Sequence, residues 1–193
     1  VEYDEDLQAW TKPFFMGPMN TKIVRRTNAL LGYPYGEDFS YNEARVVADG
    51  LSGRIKAKVE AIGYVAFVAS VAIPPTRWLL KKYVLPGSGE GPDRETRESG
   101  QWKIILIGEM DDGSTVRTLV GGEGDPATDS TSRKLVESAL GLSEDADKIP
   151  VEGGSWTPAS AMGDLLLDRL TSNAGMRLEL EPVFPGEAGE VPS

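Results

Sequence analysis

The rhythm of apolar and polar positions changes several times along the 193 residues. Over residues 19–31, Ile23, Val24, Thr27, Leu30 and Leu31 recur at i, i+1, i+4, i+7 and i+8. That spacing gathers them on one side of a helix and predicts that this side faces a core. Lys22, Arg25 and Arg26 fall mostly on another side, and Gly32 stands where helices commonly end in a left-handed residue. Before this helix, residues 1–10 read as an extended segment that Lys12-Pro13 interrupts. After it, Tyr33-Pro34-Tyr35-Gly36 reads as a turn and residues 39–48 as a strand.

The most apolar stretch is 55–73, and its last thirteen residues, 61–73, carry no charge. As a helix rising 1.5 Å per residue they would extend about 20 Å, short of the roughly 30 Å hydrocarbon core of a bilayer. Pro74-Pro75 forbids a straight continuation. A second helix over 76–84 then sets Arg77, Lys81 and Lys82 beside Trp78, Leu79, Leu80 and Tyr83. Two arrangements fit. In one, Arg77, Trp78, Lys81, Lys82 and Tyr83 contact a membrane surface that the chain does not cross. In the other, the apolar run is a core helix packed under a sheet.

Residues 85–100, with Gly87, Gly89 and Gly91, read as a connector. Alternation returns over 102–108 and 115–121, which predicts a β-hairpin around Asp111-Asp112-Gly113. A loop over 121–130 leads to a helix over 131–142 with Leu135, Val136, Ala139 and Leu140 inward. Thr157 suits the cap of a further helix and Pro158 its first position, with Met162, Leu165, Leu166 and Leu170 inward. Residues 176–180 close as a strand. The expected fold class is α+β: a mixed or antiparallel sheet with helices packed on one side, in one domain over 1–181. The tail, 182–193, is rich in Pro, Gly and Glu and reads as disordered.

Composition narrows the chemistry. The chain has no cysteine and no histidine. This excludes thiolate–imidazole zinc sites, a cysteine nucleophile and a Ser–His pair, and leaves Asp, Glu, Lys and Tyr for proton transfer. No residue type stands out as catalytic and no metal site is expected. The net charge of −10 argues against non-specific nucleic-acid binding. It is unevenly placed: residues 7–82 hold eleven Lys/Arg against five Asp/Glu, and those after Pro86 hold nine against twenty-one. Val1 opens the chain inside an extended segment, without an initiator methionine or a targeting segment, and reads as a cut end.

A dinucleotide fold needs a glycine-rich turn between a strand and a helix, and no G-x-G-x-x-G is present. Gly121-Gly122-Glu123-Gly124 follows a predicted strand but leads into Asp125-Pro126, which sets carboxylates where a phosphate would approach. Four blocks carry a resemblance instead: Pro13-Phe14-Phe15-Met16 with Asn20-Thr21-Lys22-Ile23-Val24-Arg25-Arg26-Thr27-Asn28-Ala29-Leu30; Pro75-Thr76-Arg77-Trp78-Leu79-Leu80; Leu85-Pro86 with Gly89-Glu90-Gly91-Pro92; and Gly153-Gly154-Ser155-Trp156-Thr157-Pro158-Ala159 running on to Asp164. In order and spacing they resemble the substrate-side, carboxyl-terminal portion of the saccharopine dehydrogenase-like oxidoreductases, in the fungal and mycobacterial branches that include trans-acting enoyl reductases. One block departs from the family. An Asp-Pro-Gly-Tyr run is expected before the helix, and this chain has Asp125-Pro126-Ala127-Thr128-Asp129.

The resemblance implies a two-part enzyme in which NAD(P) is held by a Rossmann domain preceding the part seen here, so that this chain alone binds no cofactor. It implies a hydrophobic, lipid- or polyketide-type substrate, and an intracellular setting that includes peripheral attachment to membranes or lipid droplets. Partners would then be the substrate, a membrane or lipid-droplet surface, a Rossmann domain or a second copy of the chain. Candidate substrate contacts are Asn20, Arg25, Arg26, Asn28, Tyr33, Tyr35, Asp125 and Thr157. Each has a structural alternative: caps for Asn20 and Thr157, local hydrogen bonding for Asn28, ion-paired faces for Arg25 and Arg26, turn packing for Tyr33 and Tyr35, and an Asp-Pro turn for Asp125. A free-standing lipid-binding module, or a cofactor-free cyclase or isomerase, are the alternatives to the redox reading.

Overall fold

The computed structural model describes residues 1–181 apart from Asp49, Pro86 and Ser88. Residues 182–193, expected to be disordered, lie outside the described residues. The chain divides into two compact units, the first ending at Gly91 and the second beginning at Pro92, inside the stretch expected as a connector. Each unit builds its own three-stranded antiparallel sheet. The fold is α+β, with two small sheets in place of the one expected.

In the first unit β1 (Glu2–Asp4) pairs with β2 (Ala9–Pro13), and β2 with β3 (Ala44–Ala48). The first residues are thus a tight hairpin and not one extended segment. Asp4 Oδ1 accepts the Leu7 N–H at 2.9 Å and Gln8 takes a φ of 50°, which turns the chain back. The first helix, α1 (Gly17–Leu30), lies where periodicity placed it, and of the residues expected inward Val24, Thr27 and Leu30 are half-buried, but the inward side is shifted toward Gly17, Asn20 and Asn28. Gly17 and Asn28 are buried and Asn20 and Val24 half-buried, whereas Ile23 and Leu31 are about half exposed. The cause lies in what α1 packs against. Residues 33–43 belong to no sheet, so their backbone needs polar partners, and Asn28 supplies them. The strand expected over 39–48 shortens to 44–48 for the same reason.

The second helix, α2 (Gly50–Ala72), changes character along its length. Its first half docks on the sheet. Gly53 and Ala57 are buried, the Arg54 guanidinium sits 5.2 Å from the Trp10 ring centroid, and Glu60 bonds to Lys12. That bond holds the Glu60 carboxyl below the usual range. The second half is largely exposed, with only Ala61, Ser70 and Val71 half-buried. Ile62 and Val65 are 69% and 66% exposed. The third helix, α3 (Pro74–Tyr83), leaves the end of α2 at 109°.

In the second unit a short helix, α4 (Arg94–Ser99), stands where only connector was expected. Asp93 caps it, accepting the Thr96 N–H at 2.7 Å. The hairpin of β4 (Gln101–Glu109) and β5 (Thr115–Glu123) forms as expected, and β6 (Met176–Leu180) pairs with β5. The register sorts the sheet into two faces. One carries Trp102, Ile104, Leu106, Val116, Val120, Leu178 and Leu180; the other mixes Lys103, Arg117, Arg177 and Glu179 with Ile105 and Leu119.

Helix α5 (Asp129–Glu144) also turns an unexpected side inward. Ser130 and Gly141 are buried, while Leu135 and Val136 are 69% and 55% exposed. Polar contacts hold the inward side. The Trp102 indole N–H donates to Ser130 Oγ at 2.9 Å, Lys134 Nζ stands 3.9 Å from the Trp102 ring centroid, and Glu137 pairs with Arg169 at 3.0 Å. The helix expected after Pro158 is broken at Gly163, whose φ of 50° separates α6 (Pro158–Met162) from α7 (Asp164–Asn173). Ala161, Met162 and Leu166 form the core there, with Ile149, Val151 and Leu170 against them.

Candidate functional site

The best-defined polar cluster of the first unit lies where the start of α1 meets the approach to β3. Asn20 Nδ2 donates to Glu43 Oε2 at 2.8 Å, and the Tyr41 hydroxyl donates to Glu43 Oε1 at 2.8 Å. Gly17, buried at the start of α1, faces Glu43. Burial, then the hydrogen bond and charge of Glu43, push the Tyr41 phenol up to about 12. The phenol therefore stays protonated at neutral pH, and Glu43 is an acceptor held by two donors. Phe39 stacks between Tyr35 at 5.3 Å and Tyr41 at 6.5 Å, so the cluster continues into an aromatic row. On the outer side of α1, Phe15, Met19 and Ile23 are 61%, 58% and 51% exposed at a spacing of four residues. A cavity of about 140 Å³ between β2 and the start of β3 has Glu43 in its wall with Thr11, Lys12 and Asn42. Such a site can hold a polar group by hydrogen bonds to its carboxylate, amide and hydroxyl groups.

The residues singled out from sequence fall in several separate settings. Asn20 enters this cluster. Asn28 lies two turns further on, buried, with Nδ2 donating to the Gly36 carbonyl at 2.8 Å and Oδ1 accepting the Tyr35 N–H at 3.1 Å. It clamps the 33–36 turn, in which Tyr33 takes a φ of 62°. Tyr33 and Tyr35 are exposed at the turn's surface, as are Arg25 and Arg26 on the outer side of α1. In the second unit Asp125 Oδ2 accepts from the Ala127 and Thr128 N–H groups and from the Thr128 hydroxyl, so its carboxylate closes its own turn. Thr157 caps α6 in a reciprocal pair with Ser160 and is buried. Tyr41 and Glu43 escaped the sequence reading. The alternation Phe39-x-Tyr41-x-Glu43 was visible, but it was absorbed into a strand that starts later.

Among the described residues there is no Rossmann-type nucleotide turn. Both sheets are antiparallel throughout, so no strand–helix–parallel strand unit presents a helix N-terminus to a pyrophosphate. The Gly121–Gly124 backbone is not open either. A Cβ on Gly122 would fall 2.7 Å from the Trp102 ring, and one on Gly124 would fall 2.6 Å from Asp129 Oδ2. These glycines make room for neighbours of the same chain. Beside them, a groove of about 240 Å³ runs over the mixed face of the second sheet, between Lys103, Arg177, Glu123 and Glu179. Among the described residues no group of three or more acidic side chains could hold a metal.

The described residues thus hold a small polar cluster in the first unit and exposed apolar surface in both units. The chain is similar to a Mycobacterium tuberculosis protein whose name carries the provisional assignment trans-acting enoyl reductase: 38% identity over 172 residues, covering 88% of this chain and 41% of the relative. It is 36% identical over 166 residues to a trans-acting enoyl reductase of Mycobacterium bovis and 35% identical to one of Mycobacterium ulcerans, covering 83% of this chain and 39% of each relative. The chain thus spans about two fifths of the length of these relatives. No family model matches the chain, and no solved structure matches it.

Proposed function

We propose that the chain is the substrate-side portion of a saccharopine dehydrogenase-like oxidoreductase of the trans-acting enoyl reductase kind. Its substrate would be a hydrophobic lipid- or polyketide-type acyl chain, and NAD(P) would be held by polypeptide outside the residues described here. One observation carries the reading: similarity over 88% of this chain to relatives more than twice as long. Two features support it. The polar cluster of Asn20, Tyr41 and Glu43 would suit the polar head of a ligand, and the exposed Phe15, Met19 and Ile23 add apolar surface on the other side of α1. The Gly121–Gly124 segment, filled by Trp102 and Asp129, offers no phosphate cradle. The whole enzyme would add a hydride and a proton across a conjugated double bond, and this portion would orient the acyl chain.

Calorimetric titration with NAD⁺, NADH, NADP⁺ and NADPH, and fluorescence titration with a conjugated fatty-acid probe, tests this. The expected result is no nucleotide binding and saturable binding of the acyl probe, weakened by Glu43→Gln. Micromolar binding of any nucleotide, or no acyl binding, overturns the reading. A second reading, a lipid-associated module without redox chemistry at a membrane or lipid-droplet surface, is favoured by the exposure of α2 and α3.

A further inference from the structure

The second half of α2 is uncharged all round and mostly exposed: only the side of Gly63, Ala66 and Ser70 lacks large apolar residues, and only Ala61, Ser70 and Val71 are half-buried. Around its circumference Ile62, Tyr64, Val65, Phe67 and Val68 are each between 42% and 69% exposed. A protein groove recognises one stripe of a helix; a helix apolar nearly all round is covered either by the core of a larger protein or by hydrocarbon. Alternating polar residues, which would let a helix this long stand in water, are missing from 61–73. The cations and aromatic rings of α3, which follows directly, favour the bilayer as the occupant.

The mode of contact follows from α3. Arg77 and Lys81 are four residues apart and Lys82 lies on the adjoining side, while Leu79, Leu80 and Tyr83 lie opposite. Lys82 Nζ stands 4.9 Å from the Trp78 ring centroid and 5.2 Å from that of Tyr83. This is the layout of a helix lying flat at the headgroup level, its cations toward phosphate. Perpendicular insertion of α2 would carry α3 to the deep end with three cations. From there a turn of 109° brings α3 back too little to free them, since its ten residues span only about 15 Å. Among the described residues no single helix is long and apolar enough to cross a membrane.

We propose that α2 beyond Glu60 and the whole of α3 lie together in the plane of one leaflet, with α2 submerged below the headgroups and the cationic side of α3 against anionic lipid phosphates. The proposal rests on the lipid-associated reading and adds its geometry. Anchoring of the first half of α2 by Gly53, Ala57, Arg54–Trp10 and Glu60–Lys12 would fix the first unit at the surface.

The natural absence of cysteine allows single labels. Ile62→Cys, Val65→Cys, Val68→Cys and Ile73→Cys, each carrying an environment-sensitive fluorophore, would be read against vesicles of neutral or anionic phospholipid containing nitroxides at graded depths. Flotation of the unlabelled chain is the parallel measurement. Expected are flotation with anionic vesicles, a blue shift at all four positions, and one common quenching depth. The triple change Arg77→Glu, Lys81→Glu, Lys82→Glu should lower vesicle partitioning about tenfold or more. A depth increasing steadily from 62 to 73 overturns the in-plane geometry and leaves lipid contact standing. Absence of flotation with either lipid overturns both. A blue shift without vesicles that grows with protein concentration assigns the surface to protein association and overturns both as well.

Discussion

At the scale of single residues, the side chains with the clearest work are those that satisfy backbone. Asn28 joins α1 to the following turn with both halves of its amide, and it is buried while doing so. Removing it leaves the Gly36 carbonyl and the Tyr35 N–H without their partner. Asn28→Ala is expected to cost about 1–3 kcal/mol, read as a lower thermal midpoint. Unchanged stability together with weaker acyl-probe binding would instead assign Asn28 to the ligand. Gly122 has a steric role: the Trp102 ring lies across the place a Cβ would take. Gly122→Ala should displace the indole from Ser130 and Lys134 and destabilise the second unit by about 1–3 kcal/mol. Near-ultraviolet circular dichroism would show a changed tryptophan signal, and an unaltered spectrum with full stability would refute the account. Asn28 was visible in the sequence as a polar residue on a helix; its role was not, because the partner turn is recognised only in three dimensions.

At the scale of elements, hydrophobic periodicity located α1, α2, α5 and the β4–β5 hairpin, and residue type the Thr157 cap, but periodicity misassigned the inward side of α5 and was right for α1 only at Val24, Thr27 and Leu30. Periodicity reports where apolar residues gather, and the rule that they gather inward assumes the surface is water. In α1 the gathered residues Ile23 and Leu31, and in α5 Leu135 and Val136, are exposed, and the inward sides are built on Asn20, Asn28, Ser130 and Lys134. The small helix α4 was hidden by its flanking glycines and prolines. Packing of α5 on α7 depends on Arg169, which pairs with Glu137, with Glu144 at 3.2 Å and with Asp145 at 2.6 Å. The hydrogen bonds of Lys148, then of Arg169, hold the Asp145 carboxyl below its ordinary 3.8. A depressed carboxyl contributes stability that is present above the unfolded value and is lost as pH falls through the folded one. The thermal midpoint should therefore fall on acidification below about pH 4, a window set by the unfolded carboxyl value. Asp145→Asn should lower the midpoint at pH 7 and flatten its decline in acid. An equally steep decline in the variant would show that other carboxyls set the acid limit.

At the scale of the whole chain, the shortage of core is the governing fact. Within the second unit, Trp102 is covered by α5, yet Ile104, Leu106 and Leu180 on the same face of the sheet are 50%, 40% and 75% exposed. A contiguous uncovered apolar face on a sheet normally meets another layer of protein. In relatives more than twice this length, the missing layer has material to come from. Without it, the isolated chain should cover the face with a second copy. The net charge of −10 opposes association at neutral pH, so any dimer formed there is held by apolar contact against a repulsion that salt screens. Sedimentation at pH 7.5 is expected to show concentration-dependent self-association that strengthens with added salt. Ile104→Lys with Leu180→Glu should shift the chain to monomer and reduce binding of an apolar dye, while leaving flotation through α2 and α3 intact. The two substitutions lie at exposed positions, so their folding is checked by an unchanged thermal midpoint. A clean monomer in the parent at high concentration, or association undiminished in the double variant, would place the uncovered surface elsewhere in the chain.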